Sequence, residues 1–318
     1  MILVTGASGF VGRALLAELT RRGSVVRGAV RHAPAMPIEG ATYVAGADLS
    51  PESIWGTALA GVDTVIHAAA RVHVMNDTAS DPLAEFRRIN VAGSVNLAKQ
   101  AAAAGVKRFV FISSIKVNGE RNVDGRPFVS TDDPAPVDPY GISKWEAEQE
   151  LGRVAAATGL QVVIIRPVLV YGPGVKANVA AMMRWLQRGV PLPLGAIHNK
   201  RSLVALGNLV DLIIMCITHP RAPGETFLVS DGEDLSTTSL LQRMAAALRV
   251  LPRLIPVPAS MLRIATQILG RQDLGSRLFE SLQVDIGHTR ERVGWTPPIS
   301  VDDALRETAE DFLRRFPR

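Results

Sequence analysis

The sequence predicts an α/β fold with a doubly wound parallel sheet and a smaller C-terminal α/β domain. A short apolar run at Ile2–Thr5 leads directly into a glycine-rich turn. Over the first two thirds of the chain, similar β-branched runs alternate with longer helical patterns, as in sheets covered on both faces. After Arg166-Pro167 that alternation gives way to clustered Pro and Gly up to Gly195. We therefore place a domain boundary near residue 170, which divides the chain into segments 1–170 and 171–318.

The individual elements follow from these runs in chain order. The predicted strands are apolar stretches bounded by turn residues: Ile2–Thr5, Ser24–Val30, Thr42–Val44, Thr64–His67, Arg108–Ser113 and Gln161–Arg166. The predicted helices carry apolar residues at helical spacing: Phe10–Arg22, Pro82–Ala104 and Tyr140–Thr158. Beyond residue 170 we expect helices to dominate, with one strand at Thr226–Val229.

Composition excludes several classes of function. Hydrophobic residues make up 47% of the 318 and charged residues 20%, as in ordinary globular proteins. The net charge of +5 comes from scattered basic pairs rather than a basic stripe, which argues against a nucleic-acid surface. The single Cys216 cannot form an intrachain disulfide and fits a reducing cytoplasm. The six histidines lack ligand spacing, so we expect no metal site.

The chain shows neither an export signal nor a membrane span. Met1–Gly6 has no basic segment and reaches glycine at once, so it is typical of a buried strand. The longest apolar stretch, Leu209–Thr218, is interrupted by Asp211 and is shorter than the roughly 20 residues that a spanning helix needs. We expect a cytoplasmic protein.

The turn after the first predicted strand has the pattern of a dinucleotide-binding loop. Gly6, Gly9 and Gly12 are spaced Gly-x-x-Gly-x-x-Gly and open the first helix. Glycines there allow a tight turn, approach of a pyrophosphate to the backbone, and close packing of helix on strand. The predicted cofactor contacts in this turn are Gly6, Ser8, Gly9, Phe10, Val11 and Gly12.

The residue after the second strand indicates which dinucleotide binds. An NAD enzyme usually has Asp or Glu there for the ribose hydroxyls. Here the strand is followed by Arg31, which can pair with a 2′-phosphate, so NADP(H) is favoured and NAD(H) is possible. A solvated strand-end arginine is the alternative interpretation of Arg31. Further predicted cofactor contacts follow the third and fourth strands: Asp48 and Leu49 for the adenine, and the small Ala68, Ala69 and Ala70.

Tyr140 and Lys144 are the candidate reaction pair. They are four residues apart and therefore share one face of a helix. A nearby ammonium group stabilises tyrosinate and lowers the pKa of the phenol, and Lys144 can also hold a ribose. Ser113-Ser114 ends a strand upstream and can supply a hydroxyl to the same substrate oxygen. We predict that Ser114, Tyr140 and Lys144 form the reaction centre.

These motifs together resemble the extended short-chain dehydrogenase/reductases, which include nucleotide-sugar epimerases, dehydratases and 4-keto reductases. The similarity rests on the glycine loop, Ser113-Ser114, Tyr140–Lys144, and Arg166-Pro167 with Tyr171–Gly174. It implies a Rossmann domain and a nucleotide-sugar-binding domain whose chain segments are partly interleaved. It also implies Ser114 as the catalytic hydroxyl, Pro167 as a cofactor contact, and Asn90 as a support for the active site.

The resemblance extends to the substrate side. It gives four candidate substrate contacts: Lys116, Asn178, Arg201 and Arg277. Arg201 matches an arginine that binds the nucleotide diphosphate, although a salt bridge to a neighbouring carboxylate is an alternative. Asn178 and Arg277 could equally be helix-surface side chains. Asn118 stands where the family usually has Tyr, which suggests a specialised pocket.

Two reactions remain after a third is disfavoured. Sugar 4,6-dehydratases carry Asp-Glu directly after the catalytic hydroxyl, whereas this chain has Ile115-Lys116, and isoleucine cannot move protons. Stretches around Ser113–Glu120, Tyr171–Asn178 and Pro191–Val204 resemble bacterial O-antigen enzymes that reduce UDP-4-keto-6-deoxy-N-acetylglucosamine. We therefore predict NAD(P)H-dependent reduction of a C4 ketone, with a UDP-sugar C4 epimerase holding NAD as the alternative.

Two readings from other classes are weaker. A non-catalytic NADP sensor would commonly lose the Tyr-Lys pair, which this chain retains. A steroid or flavonoid-type ketone reductase would need an apolar substrate pocket, and the charged Arg201 disfavours that interpretation.

The resemblance finally implies a homodimer. Its interface would be a four-helix bundle built from Pro82–Ala104 and Tyr140–Thr158 of each subunit. The alanines Ala98, Ala101 and Ala102 would permit close approach of the helices, or could instead pack on the sheet of their own chain.

Overall fold

Seven parallel strands form the main sheet of the protein. The computed structural model describes residues 1–46, 48–72, 81–123, 125–268, 275 and 278–317. The strands are β1 (Ile2–Thr5), β2 (Val26–Ala29), β3 (Thr42–Val44), β4 (Thr64–His67), β5 (Arg108–Ile112), β6 (Gln161–Pro167) and β9 (Thr226–Val229), in the order β3-β2-β1-β4-β5-β6-β9. This is the doubly wound sheet that the sequence predicts, because the strand order reverses direction at β1 and β4.

Helices cover both faces of this sheet. The helices are α1 (Phe10–Arg21), α2 (Gly56–Leu59), α3 (Pro82–Phe86), α4 (Ser94–Ala103), α5 (Pro139–Thr158), α6 (Ala177–Gln187), α7 (Leu206–Thr218), α8 (Thr237–Ala247), α9 (Ala259–Ile268), α10 (Gly287–Val293) and α11 (Val301–Arg315). One core places α1 and α7 against the sheet, and a second places α2, α4 and α5 against the opposite face.

A smaller sheet lies beyond β6. It consists of β7 (Leu169–Tyr171), β8 (Arg201–Ala205) and β10 (Asp234–Leu235), in the order β10-β8-β7. The sequence predicts only one strand after residue 170, and so misses these three. They are two to five residues long, and β8 pairs with β10 through residues 32 apart in sequence, such as Ser202 and Asp234. Strands this short, paired at long range, leave no periodic pattern to detect.

The chain crosses between the two sheets. After the small sheet has begun, β9 returns to pair with β6 in the main sheet, with Ile164 opposite Thr226. A separate core, built on α6, α8 and α11, supports the small sheet. The chain thus returns to the main sheet after the small sheet has begun, while the boundary near residue 170 and the interleaved domain segments stay predictions.

Helix α5 carries its own start and stop signals. Asp138 caps the N-terminus by accepting a hydrogen bond from the Gly141 amide at 2.7 Å, and Pro139 occupies the first helical position. The helix ends at Gly159 in the left-handed conformation, with φ of 75°. These signals fix where α5 begins and ends.

The predicted alanine face points inward. Ala98 and Ala101 are fully buried in the core between α4 and the main sheet, and Ala102 packs against the same core. Of the two alternatives, packing on the sheet of their own chain is the one observed. Ala98 and Ala101 are therefore used within their own chain, whereas Ala102 stays partly exposed.

Among the described residues, no helix is both long enough and apolar enough to cross a membrane.

Candidate active site

The glycine turn packs backbone directly against backbone. Gly6 has φ of +66°, and a Cβ there would lie 2.8 Å from the Ala69 amide nitrogen. A Cβ on Gly12 would lie 2.2 Å from the Gly6 carbonyl oxygen. Real Cβ atoms do not approach this closely, so neither position tolerates a side chain without movement of the turn. The turn is therefore a cradle at the carboxyl ends of β1 and β4.

The first amides of α1 face this cradle. Gly9 is the N-cap and has no side chain to accept their hydrogen bonds, while the Gly9 amide itself donates to the Gly6 carbonyl at 2.8 Å. Helix N-termini with unsatisfied amides bind pyrophosphate well. Ser8 is exposed, and Phe10 and Val11 are partly exposed. The residues present therefore fit the diphosphate of a dinucleotide.

The predicted adenosine contacts lie at the same edge of the sheet. Arg31 follows β2, and its side chain is exposed. Asp48 is exposed, and its carboxylate accepts a hydrogen bond from the Leu49 amide at 2.9 Å. Leu49 is buried in the core beneath α4. An exposed cation and an exposed carboxylate thus border the cradle.

The end of β4 connects the glycine loop to the reaction centre. His67 is fully buried, and its ring lies 2.6 Å from Thr5 Oγ1 and 2.8 Å from Ser94 Oγ. Burial, with a smaller contribution from the charge of Lys144, lowers the pKa of His67 to about 3. The ring is therefore neutral at physiological pH. The Ala69 amide donates to Thr5 Oγ1 at 3.2 Å, and this bond holds the backbone of Ala68–Ala70 against the cradle.

Lys144 is the most deeply buried ammonium group of the site. Its Nζ donates to the Ile112 carbonyl, at the end of β5, at 2.7 Å and lies 4.2 Å from the centre of the Phe111 ring. Tyr140 lies one turn earlier on α5, with its ring 6.1 Å from that of Phe86. The predicted pair is thus held at the carboxyl end of the main sheet.

The charge states of this pair differ from the expectation based on spacing. Burial, followed by the Asp138 carboxylate, raises the pKa of Tyr140 above its ordinary value. Burial also lowers the pKa of Lys144 to about 7, an effect that Glu148 opposes. A lysine near Tyr140 therefore does not make its phenol more acidic in this structure. Spacing cannot predict this, because it carries no information on burial.

A buried ionic cluster stands behind Lys144, and sequence reasoning did not single it out. Glu148 accepts hydrogen bonds from Ser113 Oγ and from the guanidinium of Arg166, whose Nε lies 3.0 Å from Oε1. Arg166 also donates to Asn118 Oδ1 at 2.9 Å. The Glu148 and Arg166 side chains are 2% and 4% exposed, so their charges interact with little screening. The spacing of Lys144 and Glu148, again one helical turn, was the available signal.

Ser114 and Asn118 have different surroundings. Ser114 is partly exposed, and its Oγ accepts from the Lys116 amide at 3.2 Å. Asn118 is buried, donating to the Val129 carbonyl as well as accepting from Arg166. The Asn118 amide is thus hydrogen-bonded within the chain, and its part in a specialised pocket stays a prediction.

Asn90 supports the reaction helix from a neighbouring segment. It lies in a π-helical stretch, Arg87–Gly93, between α3 and α4. Its amide donates to Ser143 Oγ at 3.1 Å and to the Arg71 carbonyl at 3.0 Å, and its Oδ1 accepts from the Arg71 amide. Asn90 thus links the segment after β4 to the helix that carries Tyr140.

The predicted substrate contacts are less uniform. Arg201 begins β8, where it pairs with Leu235 of β10 and forms a bridge with Leu282. Its Nη1 donates to the Glu280 carbonyl at 3.2 Å. The predicted cofactor contact Pro167 is the buried last residue of β6. Asn178 is exposed in the first turn of α6.

Lys116 and the neighbouring Ile115 bear on the reaction class. Lys116 pairs with Asp138 and, at 2.9 Å, with Glu120. Ile115 is buried in the main core and carries no group able to move a proton. The predicted contact Arg277 lies outside the described residues.

The contacts of the glycine loop with later residues bring the two sheets together. Gly174, with φ of +89°, lies so that a Cβ would meet the Phe10 ring at 3.7 Å, and its amide donates to Asp311. The segment after β7 therefore borders the cradle.

Within the described residues, no group of three or more His, Cys, Asp or Glu could hold a metal ion.

Comparisons with known proteins agree with this geometry. A model of the NAD dependent epimerase/dehydratase family matches residues 2–230. A UDP-glucose 4-epimerase from Vibrio cholerae is 48% identical over 315 residues, covering 98% of this chain and 95% of that protein.

Solved structures show the same fold. A UDP-glucose 4-epimerase from Thermotoga maritima, solved with UDP-glucose, has a TM-score of 0.78 at 24% identity and covers 99% of both chains. The Bordetella bronchiseptica enzyme WbmG, solved with NAD and UDP, has a TM-score of 0.76 at 21% identity, covering 99% of this chain and 94% of that one.

Proposed function

This chain belongs to the NAD-dependent epimerase/dehydratase family, and we propose that it is a UDP-sugar C4 epimerase that uses NAD. The observation that carries the proposal is the 48% identity to a UDP-glucose 4-epimerase along nearly the whole chain. The alternative from sequence analysis, epimerisation, thus replaces reduction as the first candidate. The glycine cradle and the Tyr140–Lys144 pair, of which Lys144 is buried, support it, because both are needed for reversible oxidation at a sugar carbon.

The chain's own residues divide the work. When bound, NAD supplies hydride acceptance and return at C4 of the sugar. Tyr140 takes and gives back the proton of the C4 hydroxyl, and Ser114 donates a hydrogen bond to the same oxygen. Lys144 orients the ribose and supplies a positive charge near Tyr140. The Glu148 carboxylate favours the charged form of Lys144, because it raises the pKa that burial lowers.

The substrate side holds the nucleotide. Arg201 is our candidate for the diphosphate, since a planar guanidinium matches phosphate oxygens. Lys116 and Asn178 are additional candidates, and Lys116 would have to exchange Asp138 or Glu120 for the substrate. Arg201→Ala should weaken UDP binding by about 2 kcal/mol in calorimetry, with NAD binding unchanged. Unchanged affinity for UDP would remove Arg201 from the site.

A second candidate, reduction of a UDP-4-keto-6-deoxy-hexosamine in surface-polysaccharide synthesis, is favoured by one observation. Arg31 stands after β2 where an NAD enzyme usually has an acid, and it is exposed and able to meet a 2′-phosphate. A reductase consumes reduced cofactor, usually NADPH, whereas an epimerase reuses NAD. Arg31 is therefore the point on which the cofactor choice depends.

One experiment separates the candidates. The protein is incubated with UDP-glucose, UDP-N-acetylglucosamine and a UDP-4-keto-6-deoxy sugar, and both products and cofactor absorbance are followed. Interconversion of C4 epimers without net change in cofactor identifies the epimerase. Stoichiometric oxidation of NADPH by the keto sugar identifies the reductase. Turnover of neither kind, and no binding of UDP, would overturn the nucleotide-sugar proposal.

We also propose a homodimer in a reducing compartment, the cytoplasm. Helix α3, the π-helical stretch Arg87–Gly93 and α5 present an outer surface with an open depression of about 410 Å³, lined by Ala84, Arg87, Arg88, Val91, Ala92 and Glu146. Arg87 and Glu146 pair across this surface at 2.6 Å. Light scattering at micromolar concentration tests the proposal, and a strictly monomeric mass would contradict it.

A further inference from the structure

Two segments of the C-terminal half form a surface that is both apolar and basic. Its apolar members are Trp185, Val190, Leu251, Ile255, Met261 and Ile264, which are 39% to 90% exposed. Its basic members are Arg188, Arg253 and Arg263, all exposed. We call these nine residues the basic-apolar surface. We propose that it binds the surface of an anionic lipid bilayer.

Hydrogen bonds join the two segments into one surface. The Leu192 amide donates to the Arg253 carbonyl at 2.8 Å, and the Ile255 amide donates to the Leu192 carbonyl at 2.8 Å. Leu192 and Leu254 turn inward to the second core, so their neighbours Arg253 and Ile255 turn outward. Val190 is tied to Trp185 through its amide. The backbone of the two segments is thus joined next to these exposed side chains.

Helix α9 continues this surface. Ala259 and Leu262 pack on the second core. At 100° per residue, Met261 and Ile264 lie on the opposite side of the helix, where they are 61% and 57% exposed. Packing against the described residues therefore leaves these large apolar side chains more than half exposed. A helix with such a face, flanked by arginine, lies in the plane of a membrane interface.

The positive charge of this surface favours an anionic partner. No Asp or Glu occurs from Val175 to Val210 or from Arg249 to Ile268. None of Arg188, Arg253 and Arg263 forms an ion pair with a described residue, whereas Arg87, Arg166 and many other arginines do. Juxtamembrane arginines are attracted by anionic headgroups, and Trp is favoured at bilayer interfaces.

A second copy of the chain fits this surface less well. A twofold contact would place the same patch on itself, and three arginines would then face three arginines without intervening carboxylates. A bilayer instead offers anionic headgroups to the arginines and acyl chains to Met261 and Ile264. The proposal is independent of which sugar reaction the chain catalyses.

Cosedimentation with vesicles tests the proposal. The protein should bind mixed vesicles of phosphatidylglycerol and phosphatidylcholine at low salt. It should bind vesicles of phosphatidylcholine alone much more weakly. Raising the salt should weaken binding, because it screens the arginines. The double variants Met261→Asp/Ile264→Asp and Arg253→Glu/Arg263→Glu should each lower the bound fraction by about ten-fold or more.

Matched controls make the result specific. Ile54 is 92% exposed in the first half of the chain, and Ile54→Asp should bind vesicles like the unmodified protein. Arg221→Glu, at an exposed arginine outside the surface, should do the same. Circular dichroism melting checks that every variant is folded.

Three outcomes overturn the proposal. The first is no sedimentation of the unmodified protein with anionic vesicles. The second is equal losses in surface and control variants. The third is a contact between copies, seen by light scattering as a mass that falls in the surface variants while vesicle binding is absent.

Discussion

The two halves of the candidate site are built from different interactions. In the cofactor half, backbone lies against backbone, and the positions of Gly6 and Gly12 leave no room for a methyl group. In the reaction half, charges are buried: Lys144, Glu148 and Arg166 are each almost inaccessible to solvent. The comparison teaches that an added atom should weaken cofactor binding in the first half. In the second half, removal of a charge or proton should lower turnover or stability.

The largest expected effect is loss of the proton donor. Tyr140→Phe should lower kcat by about 10²–10⁴-fold, the usual contribution of a positioned acid or base. Affinity for NAD should hardly change, since the cradle is untouched. Steady-state kinetics and calorimetry on the same preparation measure both. Tyr43→Phe, on β3, is the matched control and should keep near-normal turnover; near-normal turnover in Tyr140→Phe would place the acid elsewhere.

The second largest effect should come from removing the negative charge of Glu148. Glu148→Gln leaves Arg166 buried without its carboxylate, which should lower the free energy of unfolding by about 3 kcal/mol. Glu150→Gln on the same helix is the control: Glu150 pairs with Arg153 at the surface, and its loss should cost at most about 1 kcal/mol. Urea unfolding compares the two variants. Equal losses would mean that burial does not set the strength of the Glu148 pair.

The same variant should shift the pH dependence. Glu148 raises the pKa of Lys144, which burial holds at about 7, so loss of the carboxylate should lower that pKa further. If charged Lys144 is the active form, kcat/KM falls as pH rises through this pKa, and the falling limb moves to lower pH in Glu148→Gln. A limb that does not move, or moves to higher pH, would remove Glu148 as a positioning residue for Lys144.

The cofactor half can be broken by one methyl group. Gly12→Ala puts a Cβ 2.2 Å from the Gly6 carbonyl, and overpacking of this kind typically costs about 1–3 kcal/mol. The affinity for NAD should fall together with the stability, because the turn that must move to fit the methyl group also forms the cradle. Gly152→Ala is the control, since nothing lies within 4 Å of a Cβ there. Thermal unfolding and NAD titration of both variants check the prediction, and equal behaviour would contradict the close packing.

The same contrast explains what sequence could predict. The glycine loop, β1, β3, β4 and the Tyr140–Lys144 helix depend on local spacing and caps, and their positions are confirmed to within a residue or two. The pairing of β8 with β10 and the Glu148–Arg166 cluster join distant segments, and no local pattern encodes them. The charge state of Tyr140 depends on burial, which the spacing of tyrosine and lysine does not reveal.

Arg31 is the exception in the cofactor half, because it would add a positive charge beside a cradle formed by backbone. It is exposed, so its pairing with a 2′-phosphate should contribute only about 1 kcal/mol and weaken with salt. Arg31→Gln should therefore weaken NADP about five-fold and leave NAD unchanged, whereas Arg31→Asp should also strengthen NAD through the ribose hydroxyls. Calorimetric titration of both cofactors at two salt concentrations measures these changes. If the unmodified protein prefers NAD and Arg31→Gln alters neither affinity, Arg31 does not contact the cofactor. The reductase would then lose the observation that favours it.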